Sequence, residues 1–148
     1  MALKTPKCQD CISCDLKSPL FHLLNKSELQ KLNADRFEVN LKEGDYIFKQ
    51  GTAASHILSL AKGRVKLFFE GNNQRQFAFK IACQWELLGG PGLFVDKRYH
   101  YSASSLEDSM VCYINLESFK ALLCENKEFG EAFWKQQNLR RFNFITGS

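Results

Sequence analysis

The sequence predicts a mainly β domain, a sandwich or barrel with helices at its two ends. Two observations carry that expectation. Between Arg36 and Leu116, short apolar runs, several alternating with polar residues, are punctuated by glycine at intervals of roughly ten residues. From Glu117 onward the apolar period lengthens from two to that of a helix. The 148 residues suffice for one such domain, and a chain 45% hydrophobic and 24% charged has the balance of a globular protein. Thirteen phenylalanines point to a core of large flat side chains.

Residues 1–17 show neither period and read as a cysteine-bearing arm outside the core. Leu20, Phe21, Leu23 and Leu24 make an apolar turn. Asn25 followed by Glu28 matches a capping box, which predicts a helix over 26–34. Phe37, Val39 and Leu41 alternate as a half-buried strand, Glu43-Gly44 turns the chain, and Tyr46-Ile47-Phe48 runs to a second stop at Gly51. Ile57 to Leu60 is the third strand, closed by Lys62-Gly63. Val65, Leu67 and Phe69 form the fourth, and Glu70-Gly71-Asn72-Asn73 turns the chain into Phe77, Phe79 and Ile81. Gly89-Gly90-Pro91-Gly92 interrupts the sheet with a backbone free to approach something closely, whether to turn a barrel corner or to cradle a phosphate. Strand character resumes at Tyr101-Ser102-Ala103 and at Met110–Ile114. Two helices follow, marked by Phe119, Leu122 and Leu123 and then by Phe129, Ala132 and Phe133.

The formal charge of +4 is modest, and no run of five basic residues marks a nucleic-acid patch. Lys97-Arg98 and Arg140-Arg141 read as solvated surface. No stretch approaches the eighteen or so apolar residues of a membrane span, and the first residues lack the apolar run of a secretory signal. Six cysteines without an export signal point to a reducing compartment, hence the cytoplasm. Catalysis finds little support. His22, His56 and His100 stand far apart, without the paired histidines of a metal-dependent enzyme on a β-roll, and no nucleophile-elbow or phosphate-loop motif occurs.

Four segments, taken in order, carry a resemblance. They are the two-glycine hairpin Leu41–Gly51, the glycine turn between strands in Ile57–Leu67, the loop from Gly89 to Ala103, and Leu106-Glu107-Asp108-Ser109-Met110-Val111-Cys112. Together they resemble the Crp/Fnr transcription regulators over about residues 8–135, and the last segment resembles their oxygen-sensing fumarate and nitrate reductase branch. The resemblance implies a sensor domain of the cyclic-nucleotide-binding type, a double-stranded β-helix or jelly-roll-like barrel with flanking helices. It divides the chain into an arm (1–17), the sensor barrel (18–124) and the start of a dimerisation helix (125–148). It further implies a bacterial homodimer formed through that helix. DNA would be bound only through a helix-turn-helix domain, which these residues do not include.

In cyclic-nucleotide members a glutamate in the glycine loop meets the ribose, and an arginine before Ser-Ala neutralises the phosphate. Here the loop carries glycine instead of the acid, and the second element reads Tyr101-Ser102-Ala103. A neutral phenol does not compensate a buried phosphate for lost water. Gly89, Gly90, Gly92, Tyr101, Ser102 and Ala103 remain the residues of a possible effector pocket for another small ligand.

The cysteines point elsewhere. Cys8, Cys11 and Cys14 form a C-x2-C-x2-C run, the local spacing of iron–sulfur ligands. The oxygen-sensing branch adds one distant cysteine, and Cys112 stands at that position. The implied ligand set for a cluster, of the 4Fe–4S type, is therefore Cys8, Cys11, Cys14 and Cys112. One departure is plain: the branch has five residues before its third N-terminal cysteine, and that position falls on Lys17 here. Structural zinc, a thiol switch, or no bound group stand as alternatives. Cys83 and Cys124, in apolar surroundings, are expected in the core.

Overall fold

The computed structural model describes residues 19–34, 36–90 and 92–140. The chain enters through a 3₁₀ turn, Pro19–Leu23, and helix α1, Lys26–Ala34. The predicted capping box forms: Glu28 N–H donates to Asn25 Oδ1 at 2.8 Å, and Asn25 N–H donates to Glu28 Oε1 at 2.9 Å. Eight strands follow: β1 (Phe37–Leu41), β2 (Tyr46–Phe48), β3 (His56–Lys62), β4 (Val65–Glu70), β5 (Gln76–Ala82), β6 (Leu87–Leu88), β7 (Ser102–Ser105) and β8 (Ser109–Asn115). A one-turn helix α2, Gly92–Val95, sits between β6 and β7. Helices α3, Leu116–Glu125, and α4, Lys127–Arg140, close the described chain.

The strands make two antiparallel four-stranded sheets, ordered β1-β8-β3-β6 and β2-β7-β4-β5. This is the predicted jelly-roll barrel. Neither β6 nor α2 is legible as a period, because two residues and four residues are too few to show one. β6 is fixed by pairing: Leu88 and Leu87 stand opposite Leu58 and Ser59 on β3.

Register decides which face each residue serves. Leu58 stands opposite Tyr113, and Leu60 opposite Val111. The Tyr113 hydroxyl donates to the Ile47 carbonyl of the other sheet, so this set faces the barrel interior. Ile57, Ser59, Cys112 and Ile114 fall on the opposite face, where α3 packs across β3 and β8. Asn115 caps α3, its Oδ1 accepting from Ser118 N–H. Phe119, Phe129 and Phe133 are wholly or almost wholly buried and meet edge to face at 5.1 to 5.5 Å.

Two expectations are corrected. Cys83 and Cys124 are exposed, not core residues. Cys83 lies in the turn beyond β5. Cys124 follows the buried Leu122 by two positions on α3, and a helix turns such a residue away from its buried face. In β5 a bulge at Phe79, opposite Leu67 and Phe68, changes the phase of the strand. Lys80 thereby falls opposite the buried Leu67 and is itself buried, whereas Ile81 is 39% exposed.

Candidate functional site

Of the site residues singled out by the sequence, those among the described ones lie at the glycine loop with strand β7 and at Cys112 on β8. At the glycine loop, the Gly89 N–H donates to the Tyr101 hydroxyl at 3.1 Å. The ring of Tyr101 lies against Gly90, where φ is +77° and an added Cβ would fall 2.6 Å from Cε2 of that ring. Gly92 is equally confined: a Cβ there would meet the Arg98 carbonyl and the His100 ring. Pro91 lies outside the described residues.

Tyr101 is buried, and desolvation, with the Glu86 carboxylate adding to it, pushes its phenol up to about 12. It is therefore neutral across the physiological range. Ser102 and Ala103, also buried, continue from it into β7. The Ser102 hydroxyl accepts from Gln50 N–H at 2.9 Å and donates to the Glu70 carboxylate at 2.5 Å. Of the six pocket residues, Gly89, Gly90 and Tyr101 touch one another, whereas Gly92 faces Arg98 and His100, Ser102 bonds Gln50 and Glu70, and Ala103 pairs with Leu67. Tyr101 thus fills the cradle that the loop would offer an anion.

Beside this end lies a group that the sequence reading missed. The Lys80 ammonium is 3.2 Å from the Glu86 carboxylate, and both side chains are less than a tenth exposed. Glu86 also accepts from Cys83 N–H at 3.3 Å. The pair ties β5 to the turn that leads through β6 into the glycine loop. A single lysine within Phe79-Lys80-Ile81 reads as a solvated strand position, and only the bulge turns it inward.

The second place is Cys112, half-buried on β8 between Glu38 of β1 and Ser59 of β3. Arg36, in the link between α1 and β1, donates from Nη1 to the Cys112 sulfur at 3.7 Å. Its Nε donates to Asn33 Oδ1 at 3.1 Å, which fixes the guanidinium from the last turn of α1. Nη2 of the same group is buried and has no hydrogen-bond partner among the described residues. Cys8, Cys11 and Cys14 lie outside the described residues. Among the described residues, no three histidine, cysteine or acidic side chains converge as metal ligands do. The structure thus places one of the four proposed ligands, and sets a cationic donor on it.

Two antiparallel four-stranded sheets, rolled together with a short helix after a glycine loop, define a β-roll of the jelly-roll class. The chain belongs to the cyclic nucleotide-binding domain family, whose model matches residues 38–126. Its relatives are Crp/Fnr-type regulators. The anaerobic regulatory protein of Bacillus subtilis (strain 168) is 24% identical over 139 residues, covering 92% of this chain and 53% of that protein. The chain thus spans about half the length of the curated relative it matches. Among solved structures, the sensor domain of the transcriptional regulator DNR from Pseudomonas aeruginosa superposes with a TM-score of 0.71 and 24% identity, over 82% of this chain and 81% of that one. The catabolite activator protein of Thermus thermophilus gives 0.66 and 24%, over 84% of this chain and 58% of that one.

Family membership does not carry the ligand with it. With a neutral phenol seated in the glycine loop, cyclic AMP is expected to leave the melting temperature within about 1 °C of the unliganded value. A site occupied at a hundred times its Kd would add about 2.7 kcal/mol, several degrees for a domain this size. A rise of that extent in thermal melts would overturn the assignment of Tyr101 as an occluding residue.

Proposed function

We propose that this chain is the sensor domain of a Crp/Fnr-type transcription regulator that reads oxygen or redox state through a cysteine-ligated iron–sulfur cluster. The observation that carries the reading is the setting of Cys112. A partly buried thiol on a barrel strand accepts a hydrogen bond from a guanidinium whose neighbouring N–H is buried without an acceptor. Such a donor suits an anionic, sulfur-rich group, and the chemistry of the cysteines fits it as well. Cys8, Cys11 and Cys14 have the spacing with which a chain presents successive thiolates to one cluster, and Cys112 would supply the fourth ligand from the barrel. The bound cluster would supply redox chemistry sensitive to oxygen. The protein's part would be to tie the arm of residues 1–17 to the strand that carries Cys112. Holding or releasing that arm is the difference between two states that a sensor requires.

The remaining assignments belong to the same reading. Residues 18–124 are the sensor barrel, and the segment from 125 begins a helix through which two copies pair. Trp134 on α4 is 48% exposed and contacts Phe94 of α2 at 5.1 Å, and Val95 beside it is 78% exposed. These side chains offer an apolar strip linking that helix to the glycine loop. DNA contact would come from a helix-turn-helix domain, and the setting would be the bacterial cytoplasm. No helix among the described residues is long and apolar enough to cross a membrane. The domain binds and signals, and is not an enzyme.

The test is the iron, zinc and acid-labile sulfide content of protein purified without oxygen, read with its visible absorption. Iron and sulfide in near-equal amounts, with a brown colour that bleaches in air, are expected. Zinc without sulfide would replace the cluster with a structural site. A protein empty even after reconstitution would return the search to the glycine loop, where Tyr101 would have to move to admit a small ligand.

A further inference from the structure

Arg36 stands beside the Cys112 sulfur, and the role argued for it rests on the iron–sulfur reading above. We infer that Arg36 is a positioning residue of that centre, holding the Cys112 sulfur with one N–H and offering a second to the anionic group that Cys112 joins.

Three observations meet at this side chain. First, its orientation is built in: Nε is tied to Asn33 Oδ1 in the last turn of α1. Second, the strand pairing that sets Glu38 opposite Cys112 brings the start of β1 beside β8, so the residue entering β1 lies within reach of the sulfur. Third, Nη2 is buried with no partner among the described residues. A buried donor left unsatisfied costs about 1–3 kcal/mol, and more when charged. Retaining arginine there has a physical reason if an acceptor arrives when the site is loaded. A guanidinium suits the task better than an ammonium. It stays charged at any working pH, its charge is spread, and its N–H groups form a rigid fork that can serve two acceptors at once.

A donor to a ligating sulfur does two things. It withdraws charge from the sulfur and so favours the reduced state, raising the reduction potential. It also fixes the ligand's direction, so that the ligand is slower to leave. Arg36 would therefore govern how readily the centre is lost, while the cysteines govern whether it forms.

The experiment compares the 148-residue chain with its Arg36→Met and Arg36→Lys variants, each reconstituted without oxygen from ferrous iron and sulfide. Arg36→Met is expected to take up iron, to bleach in air about ten-fold faster or more, and to show a lower midpoint potential. Arg36→Lys, which keeps the charge and one donor but not the fork, is expected to fall between. Melting of the metal-free forms serves as the check on folding. Because the substitution removes an orphaned donor along with the bonds to Asn33 and Cys112, and these offset one another, metal-free Arg36→Met should melt close to the parent.

Equal bleaching rates and equal potentials in parent and Arg36→Met would overturn the inference and leave the cluster reading intact. A metal-free variant that melts well below the parent would make Arg36 a folding residue and overturn it too. A parent chain that takes up neither iron nor sulfide would overturn both.

Discussion

Replacing Lys80 by methionine is expected to cost the fold about 3–5 kcal/mol, the usual price of stranding one member of a buried ion pair. Methionine keeps most of the apolar stem, so the loss would come from the charge and not from a cavity. What remains is the Glu86 carboxylate, less than a tenth exposed, with the Cys83 N–H among its donors but without the ammonium 3.2 Å away. A small domain has a total stability of only about 5–15 kcal/mol, so the single variant should lose a large part of its cooperative transition. Adding Glu86→Gln should recover part of the loss, since the amide keeps an acceptor for Cys83 N–H and removes the buried charge. The coupling in the double-mutant cycle is expected at about 1–3 kcal/mol. Urea melts of the four proteins measure it directly. Strictly additive losses would mean that the two residues act independently, and the pair would not be the tie between β5 and the glycine loop.

That pair also marks where sequence reading runs out. The hairpins of the barrel are legible because their signals are local. Gly44, Gly51 and Gly63 stand at turns between alternating strands, and all three have positive φ in the structure. The capping box at Asn25 is legible for the same reason. Lys80 is not, because its burial depends on one extra residue in β5 relative to its partner β4, and a bulge leaves no mark in the alternation. The rule that apolar neighbours predict burial failed for Cys83 and Cys124 on similar grounds. The direction of a residue past a strand end, or two positions beyond a buried one on a helix, is set by geometry and not by the character of its neighbours. At the glycine loop, the chemistry of Tyr101 could be read from sequence, as a phenol where a phosphate needs a cation. Its hydrogen bond from Gly89 and its contact with Gly90 required the fold. Arg36 was invisible in sequence for a related reason: 76 residues separate it from Cys112, and only the β1–β8 pairing joins them.

The second large effect concerns Cys112 itself. Cys112→Ser is expected to abolish a full, stable cluster, with iron and sulfide per chain falling to a small fraction of the parent's after the same reconstitution. Serine is close in size and introduces little strain at a partly buried strand position, so the metal-free variant should melt near the parent. The two effects are thereby separated. The loss follows from the ligand: an alkoxide is a harder and far more basic donor than a thiolate, and at neutral pH serine remains a protonated alcohol that offers iron little. The three N-terminal cysteines alone would leave one corner of the cluster open to solvent and oxygen. Cys83→Ser and Cys124→Ser are the controls, because both side chains are exposed and play no part in the proposed set. They should leave iron, sulfide and the rate of bleaching unchanged. If Cys112→Ser retains a complete cluster that bleaches no faster than the parent's, the fourth ligand does not come from β8. The link between the arm and the barrel, on which the sensing mechanism depends, would then have to be sought elsewhere. If Cys124→Ser or Cys83→Ser loses the cluster instead, the ligand set shifts to an exposed thiol, and the guanidinium on Cys112 serves the fold alone.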